Sequence, residues 1–266
     1  MEVNEFKKLL VKKISENNKV KGIAQTGDIN APLVAGQSDI DLFVICQEVP
    51  STDERIEMYK SLGDAASDVQ MNVSSGGIWG YGDIFMINGI DIMPMYFTVH
   101  EMKDYVEEVL SGKHLNREGR FYPVGRLASI ESINILFEDR DEWTTIINRV
   151  KEYPSDFFAK WYKEQVMQIL DEEDLGRVLL RKEVLFYHQV LEESIDHMLQ
   201  ALYAANCRYF PSRKRTERDI AAFRLIPDDF IKRLRKIMCD AVSENTIEES
   251  VSELRKLGRE IQELVC

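Results

Sequence analysis

Apolar and polar residues are arranged in two different ways along the chain. From Val20 to about Phe137, short apolar runs are separated by Gly, Asn, Asp and Ser, which is typical of strands joined by loops and a few helices. After Arg140, apolar residues recur at spacings of three and four, which predicts helices. We therefore predict an α+β protein: a domain over residues 1–140 with a small mixed sheet flanked by helices, then an all-helical bundle domain over residues 141–266.

The first half contains the clearest strands. The apolar, β-branched residues 40–46 predict a buried strand, and residues 21–26 predict a shorter one. Asn88-Gly89 separates two apolar runs and favours the positive φ angles of a type I′ turn, so it predicts a hairpin. Helices are predicted over residues 52–66 and 99–110.

The second half is predicted to hold helices over residues 154–170, 174–206, 213–223, 227–239 and 246–265. The segment over residues 174–206 is the longest, and it is apolar around much of its circumference. Such a helix is typically buried in the middle of a bundle.

Composition and charge restrict the classes of function. The 266 residues are 44% hydrophobic and 30% charged, as in a soluble globular protein, and no apolar run is long enough to span a membrane. Residues 1–16 are charged and lack the apolar core of an export signal, so we expect a cytoplasmic protein with no membrane partner. The formal charge of −12 repels a phosphate backbone, so no nucleic-acid partner is expected.

Cysteines and basic residues carry little further signal. The four cysteines lack metal-ligand spacing and are expected to be reduced thiols; they are Cys46, Cys207, Cys239 and Cys266. One basic concentration is either a solvated helix start or a phosphate- or substrate-facing surface; it comprises Arg208, Arg213, Lys214, Arg215 and Arg218.

Residues with catalytic chemistry surround the strand over residues 40–46. Gly27 follows the first strand, and after a loop the next strand opens with Asp39-Ile40-Asp41. Side chains two apart on a strand point to the same face, so Asp39 and Asp41 project together. Two neighbouring carboxylates repel each other unless a cation lies between them. Mg²⁺ prefers such oxygen ligands and also binds triphosphate oxygens.

A third carboxylate follows the Asn88-Gly89 turn. Asp91 stands between Ile90 and Ile92, so its side chain points away from the core side of its strand. If this strand lies beside the strand of Asp39, three carboxylates converge, as two-metal phosphoryl transfer requires.

These segments resemble the signature of a known superfamily. The residues are Gly27 with the loop after it, Ser38-Asp39-Ile40-Asp41-Leu42 and Ile90-Asp91-Ile92. They are similar to those of the DNA polymerase β-like nucleotidyltransferases, nearest the small bacterial aminoglycoside and lincosamide enzymes with a helical C-terminal domain. The resemblance rests on motifs over residues 20–97, and over the rest of the chain only on the pattern of apolar and polar residues.

The resemblance implies transfer of a nucleoside monophosphate from ATP or another nucleoside triphosphate to a hydroxyl of an acceptor, with Mg²⁺. Asp39 and Asp41 would bind both metal ions, and Asp91 would be the ligand oriented toward the attacking hydroxyl. Gly27 would let the triphosphate approach the backbone, which a Cβ would obstruct. A small-molecule acceptor fits the acidic composition, and a protein acceptor stays open.

Several polar residues outside the motif have both a functional and a purely structural interpretation. Lys160 lies four residues after Asp156; the pair is either a phosphate-binding lysine with a general base or an i,i+4 surface pair. Lys214 either reaches the triphosphate or is a cation at a helix start. His188, Glu192 and Asp196 share a helix face, which either lines a cleft or is solvated. The glycine-rich residues 76–82 are interpreted as a loop near the site, with Trp79 and Tyr81 as stacking groups.

One position departs from the superfamily pattern. The residue after Gly27 is usually a serine that donates to a phosphate oxygen, and here it is Asp28, which would repel a triphosphate. Gln25, Thr26 or Ser38 could supply the missing hydrogen bond. The alternative is a catalytically silent nucleotide-binding or regulatory module with the same fold.

Overall fold

The computed structural model describes residues 1–66, 68–119 and 121–264. Cys266 lies outside these residues, and Arg215 is described by its backbone alone.

The chain divides into two compact units. The first comprises Met1–Glu108 and Ser129–Glu152, and the second comprises Val109–Ala128 and Tyr153–Cys266. This division differs from the predicted boundary at residue 140, because residues 109–128 belong to the second unit and residues 141–152 to the first. The predicted α+β class, with a small mixed sheet in the N-terminal part and a helical C-terminal part, is confirmed.

In its described residues, the first unit contains six strands and most of its helices flank them. The strands are β1 (Val20–Gln25), β2 (Asp39–Cys46), β3 (Gln70–Ser75), β4 (Tyr81–Ile87), β5 (Ile90–Thr98) and β6 (Asn134–Glu138). The helices are α1 (Val3–Ser15), α2 (Thr52–Lys60), α3 (Val99–Leu110, whose end belongs to the second unit) and α5 (Glu142–Val150), with 3-10 turns at Gly63–Ala66 and Gly77–Trp79.

The strands form one mixed sheet in the order β3-β4-β5-β2-β1-β6. β2 and β5 at its centre pair in parallel, and the other described neighbours are antiparallel. The predicted hairpin is present between β4 and β5, where Asn88 and Gly89 have φ angles of 53° and 75°. The helix predicted over residues 52–66 ends earlier, at Lys60.

One face of this sheet carries the main core of the first unit. Phe6, Leu10 and Ile14 of α1 pack on alternate residues of the central strands, among them Ile40 and Ile92. These positions follow the three-and-four spacing of α1 and the two-residue period of the strands, so each element buries one face.

A buried ion pair interrupts this apolar core. The Arg55 guanidinium on α2 donates to the Asp83 carboxylate on β4, with Nε to Oδ2 at 2.8 Å. Tyr59 also donates to Asp83 Oδ2 at 2.9 Å, and its hydroxyl lies 2.6 Å from that of Tyr96. Because each charged or hydroxyl group has a partner, the polar cluster is tolerated in the core.

The second unit is helical. It contains the start of α4 (Pro123–Glu131), then α6 (Ser155–Val166), α7 (Glu172–Arg181), α8 (Val184–Ala205), a 3-10 turn (Arg213–Arg215), α9 (Thr216–Ile220), α10 (Phe230–Asp240) and α11 (Ile247–Gln262). The prediction of one helix over residues 174–206 is wrong, because Lys182 adopts the left-handed conformation (φ 54°) and Glu183 is extended. Within the described ranges, none of the helices is long and apolar enough to cross a bilayer.

Candidate functional site

The two central strands bring two of the predicted acids side by side. Asp39 is the Cα partner of Asp91 in the parallel register of β2 and β5. Neighbouring strands lie about 4.8 Å apart, so the side chains of paired residues start within reach of one another. Asp41 follows two residues along β2 on the same face. Asp39 is exposed, whereas Asp41 and Asp91 are half-buried.

The pattern of burial explains why the acids face away from the core. Ile40 and Ile92 are paired across the same strands and are 1% and 0% exposed. Their side chains point to the face covered by α1, so the side chains of Asp39, Asp41 and Asp91 point to the opposite face.

Gly27 lies at the same edge of the sheet. Its φ angle of +76° favours glycine, and no described atom lies within 4 Å of the place where a Cβ would stand. The segment is held by two hydrogen bonds: Thr26 N–H donates to Asp41 O at 3.1 Å, and Asn134 Nδ2 donates to Gly27 O at 3.0 Å. The backbone at Gly27 is therefore fixed, and open space adjoins it.

Hydrogen bonds from its own polar groups hold the loop over residues 27–38 in place. Asp28 Oδ1 accepts from Asn30 N–H at 2.9 Å, so this carboxylate is used in a local turn. Ser38 Oγ accepts from Val34 N–H at 2.9 Å. Gly36 N–H donates to Gly89 O at 2.7 Å, which attaches the loop to the hairpin that precedes Asp91.

Lys7 is a cation at this edge that the sequence did not single out. Its ammonium group donates to Gln25 Oε1 at 2.8 Å, so the Gln25 side chain, one of the groups considered for phosphate binding, is engaged by α1. Partial burial, and to a lesser degree the neighbouring charge of Lys8, lower the pKa of Lys7 below its ordinary value. In the sequence, only its place beside the apolar stripe of α1 could have drawn attention to it.

The acids supply the ligand chemistry of a hard divalent cation. Carboxylate oxygens are what Mg²⁺ prefers, and the backbone register places Asp39, Asp41 and Asp91 on one face at one edge. In the part of the chain that the structure describes, however, no three His, Cys, Asp or Glu side chains are grouped as a metal site. The magnesium assignment therefore stays a prediction that fits the donor types and their strand positions.

The expected role of the glycine-rich loop near the acids is wrong. Tyr81 pairs with Tyr96, five residues along β5 from Asp91, which corresponds to about 17 Å at the rise of an extended strand. Trp79, which is 49% exposed, precedes Tyr81 at that far end of β4. The sequence alone does not say at which end of the sheet a loop lies.

Lys160 and Lys214, the other predicted nucleotide ligands, belong to the second unit. Lys160 is exposed on α6 and donates to Ser111 O at 3.0 Å. It lines a pocket of about 350 Å³ with His114, Asn116, Arg117 and other residues of that unit. Lys214 is exposed, and its N–H donates to Ser212 Oγ at 3.3 Å.

Asp196 lies at the centre of a polar cluster in the second unit, whereas His188 on the same helix face is exposed. Asp196 is 1% exposed and accepts from Arg213 Nη2 at 2.7 Å, Tyr122 Oη at 2.5 Å and Gln200 Nε2 at 2.9 Å. Burial and the hydrogen bond to Asp196 raise the pKa of Tyr122 to about 12.

Glu192 completes the cluster one turn before Asp196 on α8. It accepts two hydrogen bonds from Arg117, at 2.9 and 2.7 Å, and lies 3.2 Å from Arg213 Nη2. The two guanidinium groups and the two carboxylates balance in charge, so the cluster fixes residue 213, immediately before Lys214, against α8.

A solved structure has a similar fold. A nucleotidyltransferase-like protein from Exiguobacterium sibiricum 255-15 matches with a TM-score of 0.51 and 11% identity, over 97% of this chain and 75% of that one. The chain has a fold similar to that of a nucleotidyltransferase-like protein. A match to the soluble domain of CorA from Methanocaldococcus jannaschii (13% identity, 92% of this chain, 99% of that one) has a TM-score of 0.16, which is too low to indicate a shared fold.

A sequence comparison matches part of the chain to a domain family whose function is unknown. Residues 121–215 match the family described as a domain of unknown function, DUF4037. The matched segment contains Lys160, Asp196 and Lys214 but none of the three acids of the sheet. No curated protein matches the chain in sequence.

Proposed function

We propose that the chain is a magnesium-dependent nucleotidyltransferase. It transfers a nucleoside monophosphate from a nucleoside triphosphate, with ATP as the first candidate, to a hydroxyl of a small-molecule acceptor. The observation that carries this proposal is the parallel register that pairs Asp39 with Asp91 beside Gly27.

The arrangement fits the chemistry of phosphoryl transfer. The oxygen of an acceptor hydroxyl attacks the α-phosphorus, a new O–P bond forms, the bond to the pyrophosphate oxygen breaks, and the hydroxyl proton leaves to a base or to water. Magnesium ions bound by Asp39, Asp41 and Asp91 would neutralise the charge that develops on the phosphoryl and pyrophosphate oxygens. The fixed backbone at Gly27 adjoins open space in which the triphosphate can approach it.

Asp28 follows Gly27, and its carboxylate is held within the loop. A carboxylate beside the triphosphate would repel it, but Asp28 Oδ1 accepts from Asn30 N–H and serves the loop itself. This hydrogen bond leaves the carboxylate negatively charged, so a triphosphate at Gly27 requires cations that offset the charge of Asp28.

The test is calorimetric titration of ATP, GTP, CTP and UTP, with and without Mg²⁺, into the wild type and the Asp39→Asn/Asp41→Asn double variant. We expect magnesium-dependent binding to the wild type that the double variant loses, because two carboxylate ligands have become neutral amides. Asp53→Asn is the matched control, since Asp53 is an exposed acid of the same unit on α2.

Binding is followed by a search for transfer. Acceptors, beginning with aminoglycosides and lincosamides, are incubated with α-³²P-labelled nucleotide, and we expect label on the acceptor and equimolar pyrophosphate. Magnesium-independent binding without transfer to any acceptor would favour the catalytically silent module. No binding of any nucleotide would contradict both functions.

A further inference from the structure

Lys7 has no ion-pair partner among the described residues, and it lies at the end of β1 beside the glycine turn. Among the residues that the structure describes, its ammonium group has one hydrogen-bond partner, the neutral side-chain amide of Gln25, and no ion-pair partner. An ammonium group has three donor hydrogens, so its bonding capacity is not filled by this contact. The neighbouring positive charge of Lys8 disfavours the ammonium form of Lys7 further.

The position of Lys7 is determined by the path of α1. The helix starts next to the β4–β5 hairpin, where Asn88 Nδ2 donates to Met1 O at 3.2 Å. Phe6 and Leu10, on either side of Lys7 in the sequence, are fully buried against the sheet. α1 thus crosses the core face from the hairpin to β1 and brings Lys7 to Gln25, the last residue of β1.

Gln25, the hydrogen-bond partner of Lys7, is close to the glycine turn in the sequence. It lies two residues before Gly27, and Asn134 Nδ2, which donates to Gly27 O at 3.0 Å, also approaches Gln25 O at 3.5 Å. The acids reach this edge from one face of the sheet, and Lys7 reaches it from the other. An anion beside Gly27 would therefore lie between carboxylates on one side and an ammonium group on the other.

We propose that Lys7 binds the phosphate groups of the nucleotide at the Gly27 turn and is a specificity residue for the triphosphate. This inference rests on the proposed function. Asp28, the residue after Gly27, carries a carboxylate that only accepts hydrogen bonds and cannot donate to a phosphate oxygen. Lys7 supplies a charged donor in its place, and its flexible four-carbon stem lets the ammonium group move from Gln25 to a phosphate oxygen.

The experiment compares Lys7→Met with Lys8→Met. Both variants lose one positive charge from α1, but Lys8 is exposed, and it is Lys7 that donates to Gln25. Calorimetry measures the binding of inorganic triphosphate without metal and of ATP with Mg²⁺, and a thermal melt confirms that each variant is folded. We expect Lys7→Met to weaken the binding of both probes about tenfold, as loss of a charged hydrogen bond does, and Lys8→Met to change it less than twofold.

A second readout follows the lysine directly. The protein is treated at pH 8 with a limiting amount of an amine-reactive acetylating reagent, with and without inorganic triphosphate. Mass spectrometry then measures the acetylated fraction of Lys7 and of Lys8. We expect protection of Lys7 alone. Lys7→Arg should retain most of the affinity, because the charge and the donors are kept.

The outcomes separate this inference from the proposed function. If the wild type binds both probes and Lys7→Met binds them equally well, Lys7 only contacts Gln25 and this inference is wrong, while the transferase proposal stands. If Mg²⁺-ATP binding depends on Asp39 and Asp41 but Lys7 is not protected, the same conclusion holds. If the wild type binds neither probe, both proposals are wrong.

Discussion

The Arg55 guanidinium and the Asp83 carboxylate form an ion pair sealed in the core face of the sheet, 2% and 0% exposed at their side chains. Removing one partner leaves the other charge buried without compensation. We expect Asp83→Ala to lower the free energy of unfolding by about 3–5 kcal/mol. Denaturant titration checks this, with Asp53→Ala as an exposed control on the same unit. A loss below about 1 kcal/mol, the range of surface pairs, would show that Arg55 finds other partners.

Asp196 should have a comparable effect in the second unit. Asp196→Ala removes the acceptor shared by Arg213, Tyr122 and Gln200, and we expect a loss of about 3 kcal/mol in the free energy of unfolding. Glu193→Ala is the matched control, because it removes an exposed carboxylate from the same helix. Urea denaturation followed by circular dichroism distinguishes the two, and equal stability of both variants would contradict the importance of the cluster.

Cys46 makes the stability sensitive to alkaline pH. Burial raises the pKa of its thiol from 9.0 to about 12, because the charged thiolate is disfavoured in the core. The neutral thiol stabilises the fold fully below pH 9, and this contribution is lost as the pH rises toward 12. We expect the free energy of unfolding to fall more steeply between pH 9 and 11 in the wild type than in Cys46→Ala.

Thiol accessibility gives an independent check on the same residue. In a Cys266→Ser background at pH 8, we expect an aromatic disulfide reagent to react promptly with the exposed Cys207 and Cys239 and not with Cys46 until the protein is denatured. Prompt reaction of all three thiols in the native protein would show that β2 opens readily.

Two glycines should respond in opposite directions to alanine. A Cβ on Gly22 of β1 would overlap the buried indole ring of Trp143, so Gly22→Ala should destabilise the protein by about 1–3 kcal/mol. Gly176 is exposed in the middle of α7 with open space around it, so Gly176→Ala should stabilise by about 0.5–1 kcal/mol. Denaturant titration of both variants tests the two signs together, and two losses would show that α7 needs the glycine.

Local patterns sufficed to predict the α+β class and the hairpin. The two-residue period around Ile40 and Ile92 identifies the core face of each strand and therefore the face of the acids, while the Asn88-Gly89 turn has the φ angles that its composition favours. The prediction that the three acids converge assumed that β2 and β5 are neighbours, and the sequence did not show this. Their adjacency depends on long-range pairing, which no local period encodes.

Three other features could not be predicted from local sequence patterns. The break after α7 depends on one left-handed residue, Lys182, whose type does not favour that conformation, so the apolar period runs through it. The contact of Lys7 with Gln25 depends on the direction in which α1 crosses the sheet. The burial of Asp196 requires Arg213, which follows it by 17 residues and returns from a separate segment.

The parallel pairing of β2 with β5 also determines when the candidate site can exist. Residues 39 and 91 are joined by a long crossover that includes α2, β3 and β4, so neither acid meets the other until this whole excursion has returned to the sheet. A nascent chain that has not released residue 98 from the ribosome holds Asp39 and Asp41 without their neighbour. Under the proposed function, a chain truncated before β5 would lack one of the three acids and would not hold the nucleotide at this site.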